Sequence, residues 1–114
     1  MTAAQARAHW TAVCRYDDLI PERGVAALVD GVAVAVFRTH DDGLYALSNL
    51  DPFSGASVLS RGIVGDRAGL ATVASPIYKQ AFALATGVCL DDPGVWVPTY
   101  PTRVINGVVE VCSA

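Results

Sequence analysis

Few side chains in this 114-residue chain can do chemistry, and those that cluster lie in two short loops. The first reads Asp51-Pro52-Phe53-Ser54-Gly55-Ala56-Ser57, the second Ser75-Pro76-Ile77-Tyr78-Lys79-Gln80. If the loops meet at a tip, Asp51, Tyr78 and Lys79 could support acid–base chemistry. That use needs a positioned pair in a pocket that shifts its pKa values, and an exposed tip works against such shifts. The plainer roles are that Asp51 starts a turn through its side chain and Lys79 is solvated, while Phe53 and Tyr78 pack the loops together or touch a partner. Ser54-Gly55-Ala56-Ser57 lacks the lysine and the glycine spacing of a phosphate loop.

Metal and nucleophile chemistry has little material. The two histidines, His9 and His40, fall in the N-terminal segment and in a turn, so no shared role is expected of them. Cys14, Cys89 and Cys112 are odd in number and form no C-x-x-C pair. Each stands among apolar neighbours and is expected as a small buried core residue. Residues 1–9 carry no apolar run of signal-peptide type, and together with unpaired thiols this points to a reducing cytoplasm. The same residues are expected to form a flexible, frayed or briefly helical segment.

Net charge is −3 and the eight basic residues are scattered. A nucleic-acid face needs them concentrated, so that partner class is set aside. No apolar run is long enough for a membrane helix. Apolar residues make up 53% and charged residues 17% of the chain, against about 25% charged in an average soluble domain. Part of that deficit reflects small Ala and Val residues in a β fold, and part predicts apolar surface for a partner.

The elements that must position the loops are short strands and turns. Trp10 to Arg15 reads as a strand with Trp10, Ala12 and Cys14 on one face. Gly24 to Asp30 and Val32 to Thr39 form a hairpin about Asp30-Gly31. Val32 to Phe37 is apolar on both faces, which suits a strand covered on two sides. Leu44 to Asn49 places Tyr45 and Leu47 opposite Leu44 and Ala46, and it delivers the chain into the first loop. Val58 to Arg67 reads as short extended pieces joined by turns at Gly62, Gly65 and Asp66. Ala71 to Ala74 leads into the second loop, and Ala81 to Ala85 leaves it. Thr86-Gly87 and 91–94 are turns. Thr99 to Ile105 and Val108 to Cys112 form a closing hairpin about Asn106-Gly107. Many short strands with frequent turns predict one all-β domain.

The loop layout resembles the cluster-binding loops of Rieske [2Fe–2S] domains. Those loops read Cys-x-His and Cys-x-x-His, and each supplies a thiolate and an imidazole to the irons. Here Asp51 and Phe53, then Ser75 and Tyr78, occupy the four ligand positions. Phe53 has no lone pair, and Asp51, Ser75 and Tyr78 are hard, weak donors beside thiolate and imidazole. A narrower resemblance runs through 49–56, 59–66, 75–82 and 86–93. Those stretches are similar to the small subunits of NAD(P)H-dependent assimilatory nitrite reductase, a family that keeps the Rieske fold with similar non-ligand residues.

The resemblance implies a Rieske-like antiparallel β-sandwich over 10–114 with a loop-rich tip subdomain at about 49–85. It implies no catalytic, cofactor or metal residue on this chain. It also implies a large-subunit partner that carries FAD, sirohaem and an iron–sulfur cluster and reduces nitrite to ammonium in nitrate assimilation. A Rieske-type ferredoxin-like module of another oxidoreductase is the alternative. By analogy with the Rieske tip, Asp51, Phe53, Tyr78 and Lys79 are the expected partner contacts.

Overall fold

The doubly apolar run 32–37 sets the architecture. The computed structural model describes residues 9–113, so the expectation for the segment before His9 lies outside the described residues. Ten strands follow in order: β1 (Trp10–Arg15), β2 (Arg23–Val29), β3 (Val32–Arg38), β4 (Leu44–Ser48), β5 (Ile63–Arg67), β6 (Leu70–Ala74), β7 (Ala81–Ala83), β8 (Thr99–Tyr100), β9 (Thr102–Ile105) and β10 (Val108–Cys112). They form three sheets, ordered β1-β10-β9, β2-β3-β4-β8 and β5-β6-β7. Every ladder is antiparallel.

β3 feeds two cores because its side chains alternate. Ala35 and Phe37 join Leu47, Leu59, Val73 and Phe82 on one side. Val34 and Val36 join Leu19, Val29, Ala46, Val109 and Val111 on the other. β4 divides as its pattern predicts, with Tyr45 and Leu47 in the first core and Leu44 and Ala46 in the second. A fully buried Phe, Leu or Val contributes about 1.5–3 kcal/mol, so a polar change in β3 damages the core on the side that residue faces. The first core lies between the central sheet and β5-β6-β7, the sheet that carries the second loop.

Asp30-Gly31 and Asn106-Gly107 are two-residue turns with φ of 50° and 79°, and of 51° and 77°. These positive values match the type I′ turn expected of such pairs. Gly87 is constrained from outside as well. At φ +78° a side chain there would place Cβ 2.1 Å from the Val97 carbonyl oxygen.

The structure corrects several expectations. Trp10, Ala12 and Cys14 do not share a face, because the ladder slips between Ala12 and Cys14 and leaves Val13 as a bulge. Ala12 is exposed, and Cys14 is half-buried rather than core, while Cys89 and Cys112 are buried. Residues 58–67 are more regular than expected. A 3-10 turn (Leu59–Arg61) leads into β5, and β5 and β6 close a hairpin about Ala68-Gly69. Residues 99–105 are two strands and not one. β8 pairs with β4, then Pro101 turns the chain so that β9 pairs with β10 in another sheet. Proline removes a ladder N–H, which suits such a corner. β7 ends at Ala83, with 84–86 already in the turn.

Candidate functional site

The first loop is built around Asn49 and Asp51. Asn49 is buried at the end of β4. Its Oδ1 accepts from the Ser60 N–H at 2.7 Å and its Nδ2 donates to Ser57 Oγ at 3.1 Å. Asp51 is also buried. Its Oδ1 accepts from the Phe53 N–H at 2.9 Å, the turn-starting role expected of it. Its Oδ2 accepts from Ser54 Oγ at 3.0 Å and from Ser75 Oγ at 2.6 Å. That last bond crosses from one loop to the other. Burial pushes the Asp51 carboxyl up, but the hydrogen bonds from Ser75, Phe53 and Ser54 outweigh it and hold its pKa below the ordinary value. The expectation that the loop would leave its groups in water and unshifted therefore fails at Asp51.

The second loop is closed by its backbone. Ser75 N–H donates to Gln80 O at 3.0 Å, and Lys79 N–H to Ser75 O at 3.0 Å. Lys79 has φ of 67° and is exposed, with Nζ on the Pro76 carbonyl at 2.9 Å. Ile77 and Tyr78 face outward, and Tyr78 is 59% exposed. Gln80 Oε1 is buried without a hydrogen-bond partner among the described residues. Behind the loop, Asp91 accepts from the Ala81 N–H at 2.8 Å and pairs with Arg67 at 2.9 Å. Those two bonds hold its carboxyl below the usual range.

The four resemblance positions thus divide. Asp51 and Ser75, where thiolates would stand, are joined by a hydrogen bond. Phe53 is half-buried against the first core, with its ring 6.1 Å from that of Phe82. Tyr78 is displayed. No sequence signal foretold the Asp51–Ser75 bond or the role of Asn49, because partners 24 residues apart leave no local pattern.

The histidines are separate, as expected: His9 Nδ1 lies 2.9 Å from Asp30 and His40 Nδ1 3.1 Å from Glu22. A groove of about 460 Å³ lies between 22–24 and 60–64.

A family model for the Rieske-like [2Fe-2S] domain matches residues 9–112. This chain belongs to that Rieske-like family. The small subunit of NADH nitrite reductase from Salmonella typhimurium is 47% identical over 103 residues, covering 90% of this chain and 95% of the relative. A Mycobacterium tuberculosis protein assigned as an NADH-dependent nitrite reductase small subunit superposes with a TM-score of 0.91 at 58% identity, covering 94% and 96% of the two chains. A segment of the nitrite reductase [NAD(P)H] large subunit of Klebsiella oxytoca is 41% identical over 102 residues, which is 90% of this chain and 11% of that one.

The family name implies an iron–sulfur cluster, and the residues here do not fit one. The Asp51 carboxylate is already occupied by three donors. Phe53 offers no lone pair, and Tyr78 faces solvent. No group of three or more His, Cys, Asp or Glu residues suited to a metal ion occurs among the described residues.

Proposed function

We propose that this chain is the cluster-free small subunit of an NAD(P)H-dependent nitrite reductase of the cytoplasm. It serves nitrate assimilation by docking on a large subunit that carries FAD, sirohaem and an iron–sulfur cluster and reduces nitrite to ammonium. The chain supplies no catalytic residue. Its tip is a docking element, with Tyr78 as the aromatic anchor and Lys79 on the polar rim. Asp51 and Phe53 hold the tip in shape, so their part in docking is indirect.

The observation that carries the reading is the near full-length similarity to nitrite reductase small subunits, joined to a tip whose ligand positions are closed by Asp51–Ser75. The Klebsiella large subunit supports the partner, because a domain like this one is part of its polypeptide. An exposed aromatic is suited to an interface because it buries much area at low entropic cost.

Reconstitution tests the proposal. Purified large subunit gains nitrite-dependent NAD(P)H oxidation, or holds its activity longer, when this chain is added, and the two elute together. No co-elution and no change in activity would overturn it. A ferredoxin-like electron carrier is the competing reading. It requires stoichiometric iron and acid-labile sulfide in the anaerobically purified chain, where the present reading expects a colourless protein.

A further inference from the structure

β2 is an edge strand of the central sheet, and little in it guards that edge. Its ladder with β3 runs unbroken from Arg23 to Val29. It has no proline, lysine or bulge, the usual devices that keep an edge from pairing, and its one charge is Arg23 at the start. Two other edges differ, since β1 is bulged at Val13 and β8 has only two residues. The ladder also decides which backbone groups of β2 are free. β3 turns its odd-numbered residues to β4, where the Ala33 carbonyl accepts from the Asn49 N–H at 3.0 Å, so its even-numbered residues bond β2. That uses Val25, Ala27 and Val29 of β2. The N–H and C=O of Gly24, Ala26 and Leu28 point away from the sheet, and none of them has a partner among the described residues.

We propose that β2 pairs antiparallel with β2 of a second copy of this chain, in a two-fold dimer whose central sheet runs through both copies. The proposal does not depend on the function above. What commits the edge to a second copy is its own symmetry. Gly24 and Leu28 lie at equal distances from Ala26, so Ala26 faces Ala26 and Gly24 faces Leu28, each as a hydrogen-bonded pair. The side chains suit that register. Gly24, Ala26 and Leu28 share the side of the sheet on which their partners Phe37, Ala35 and Ala33 lie. Leu28 is 72% exposed there. Gly24 lines the 460 Å³ groove with Ser60, Arg61, Gly62 and Ile63, and has no side chain to narrow it. A Cβ at Gly24 would lie 2.6 Å from the Ser60 carbonyl oxygen. Leu28 of each copy thus enters the groove beside Gly24 of the other, and knob and hole sit on one strand. Charge favours the antiparallel sense. Arg23 has no carboxylate partner among the described residues, and antiparallel pairing brings it to the end of β2 that Asp30 follows. Parallel pairing would set Arg23 against Arg23. The edge is about 24 Å long and about 10 Å deep, well short of the roughly 800 Å² per partner of a standard stable interface, so the dimer is a reversible one.

Sedimentation of the purified full chain over a dilution series tests the pairing, with Leu28→Lys and Ala26→Pro beside wild type and thermal melting as the check on folding. Leu28→Lys puts a charge where the leucine enters the groove. Ala26→Pro removes an outward N–H and no bond of the β2-β3 ladder, the edge position that tolerates proline. Wild type passes from monomer to dimer as concentration rises, and both variants stay monomeric while melting near wild type. A wild type that is monomeric throughout overturns the proposal, and so does a dimer that both variants keep. Amide exchange on wild type tests the same pairing without a substitution. The N–H groups of Gly24, Ala26 and Leu28 exchange more slowly in the dimer than in the monomer, and equal rates in the two states overturn the pairing.

Discussion

The two tip loops have the same outline but opposite orientations. In the first, Asp51 and Phe53 turn inward, one into a hydrogen-bonded cage and the other onto the Phe82 ring. In the second, Ser75 and the Oε1 of Gln80 reach inward, while Ile77, Tyr78 and Lys79 face solvent. In a Rieske domain the irons join the loops. Here a carboxylate and a hydroxyl 2.6 Å apart join them, which frees the outer half of the second loop for another use. Two loops of this outline can therefore be joined without metal ligands when the residues at those positions are partners for each other.

The contrast is broken most strongly at Asp51. Asp51→Ala leaves Ser75 Oγ, Ser54 Oγ and the Phe53 N–H without their acceptor. Hydrogen bonds to a buried charge are among the costly ones to remove, so a loss of about 3 kcal/mol is expected. Urea denaturation reads this as a lower midpoint at an unchanged slope. A shift as small as that of a surface variant would mean that the loops are held by something else.

Phe53→Ala comes next. The side chain is half-buried against the core, so its removal costs about 2 kcal/mol, below the range for a fully buried Phe. Thermal melting checks it, and binding measured well below the melting point should survive.

Acid sharpens the same contrast by a smaller amount. The folded-state pKa of Asp51 is depressed, so its contribution is fully present above the unfolded value of about 4. It is lost as pH falls from there through the folded pKa. Asp91 is depressed as well, so the chain as a whole weakens in acid. The stability gap between wild type and Asp51→Asn isolates the Asp51 share, and it should narrow as pH falls below about 4. A gap that stays constant into acid would contradict the assignment.

Much of the framework was legible because its signals are local. The doubly covered 34–37, the split of Leu44 to Leu47 between two cores, and the Asp30-Gly31 and Asn106-Gly107 turns all follow from period and turn chemistry, whereas Val32 at the start of the apolar run is exposed. The misses are equally physical. Ala68 adopts φ of 53° without being a residue that favours it, so the β5-β6 hairpin carried half of a turn signature. Pro101 lies within a stretch whose pattern predicts one strand, yet it marks a change of sheet. The bulge at Val13 leaves no trace in composition. In the site, the ligand positions could be placed by resemblance, but their grouping could not. Asp51 and Ser75 meet only because two sheets pack, and Phe53 lies inside because the Phe82 ring offers it a partner.

The smallest effect on stability belongs to Tyr78, and there the account is tested most directly. Tyr78→Ala and Phe53→Ala are each measured for melting temperature and for affinity to the large subunit. The account predicts a crossed result. Tyr78→Ala melts within about 0.5 kcal/mol of wild type yet binds about 30-fold more weakly, and Phe53→Ala melts lower yet binds at low temperature. Full binding by Tyr78→Ala would contradict the claim that the second loop is the docking loop.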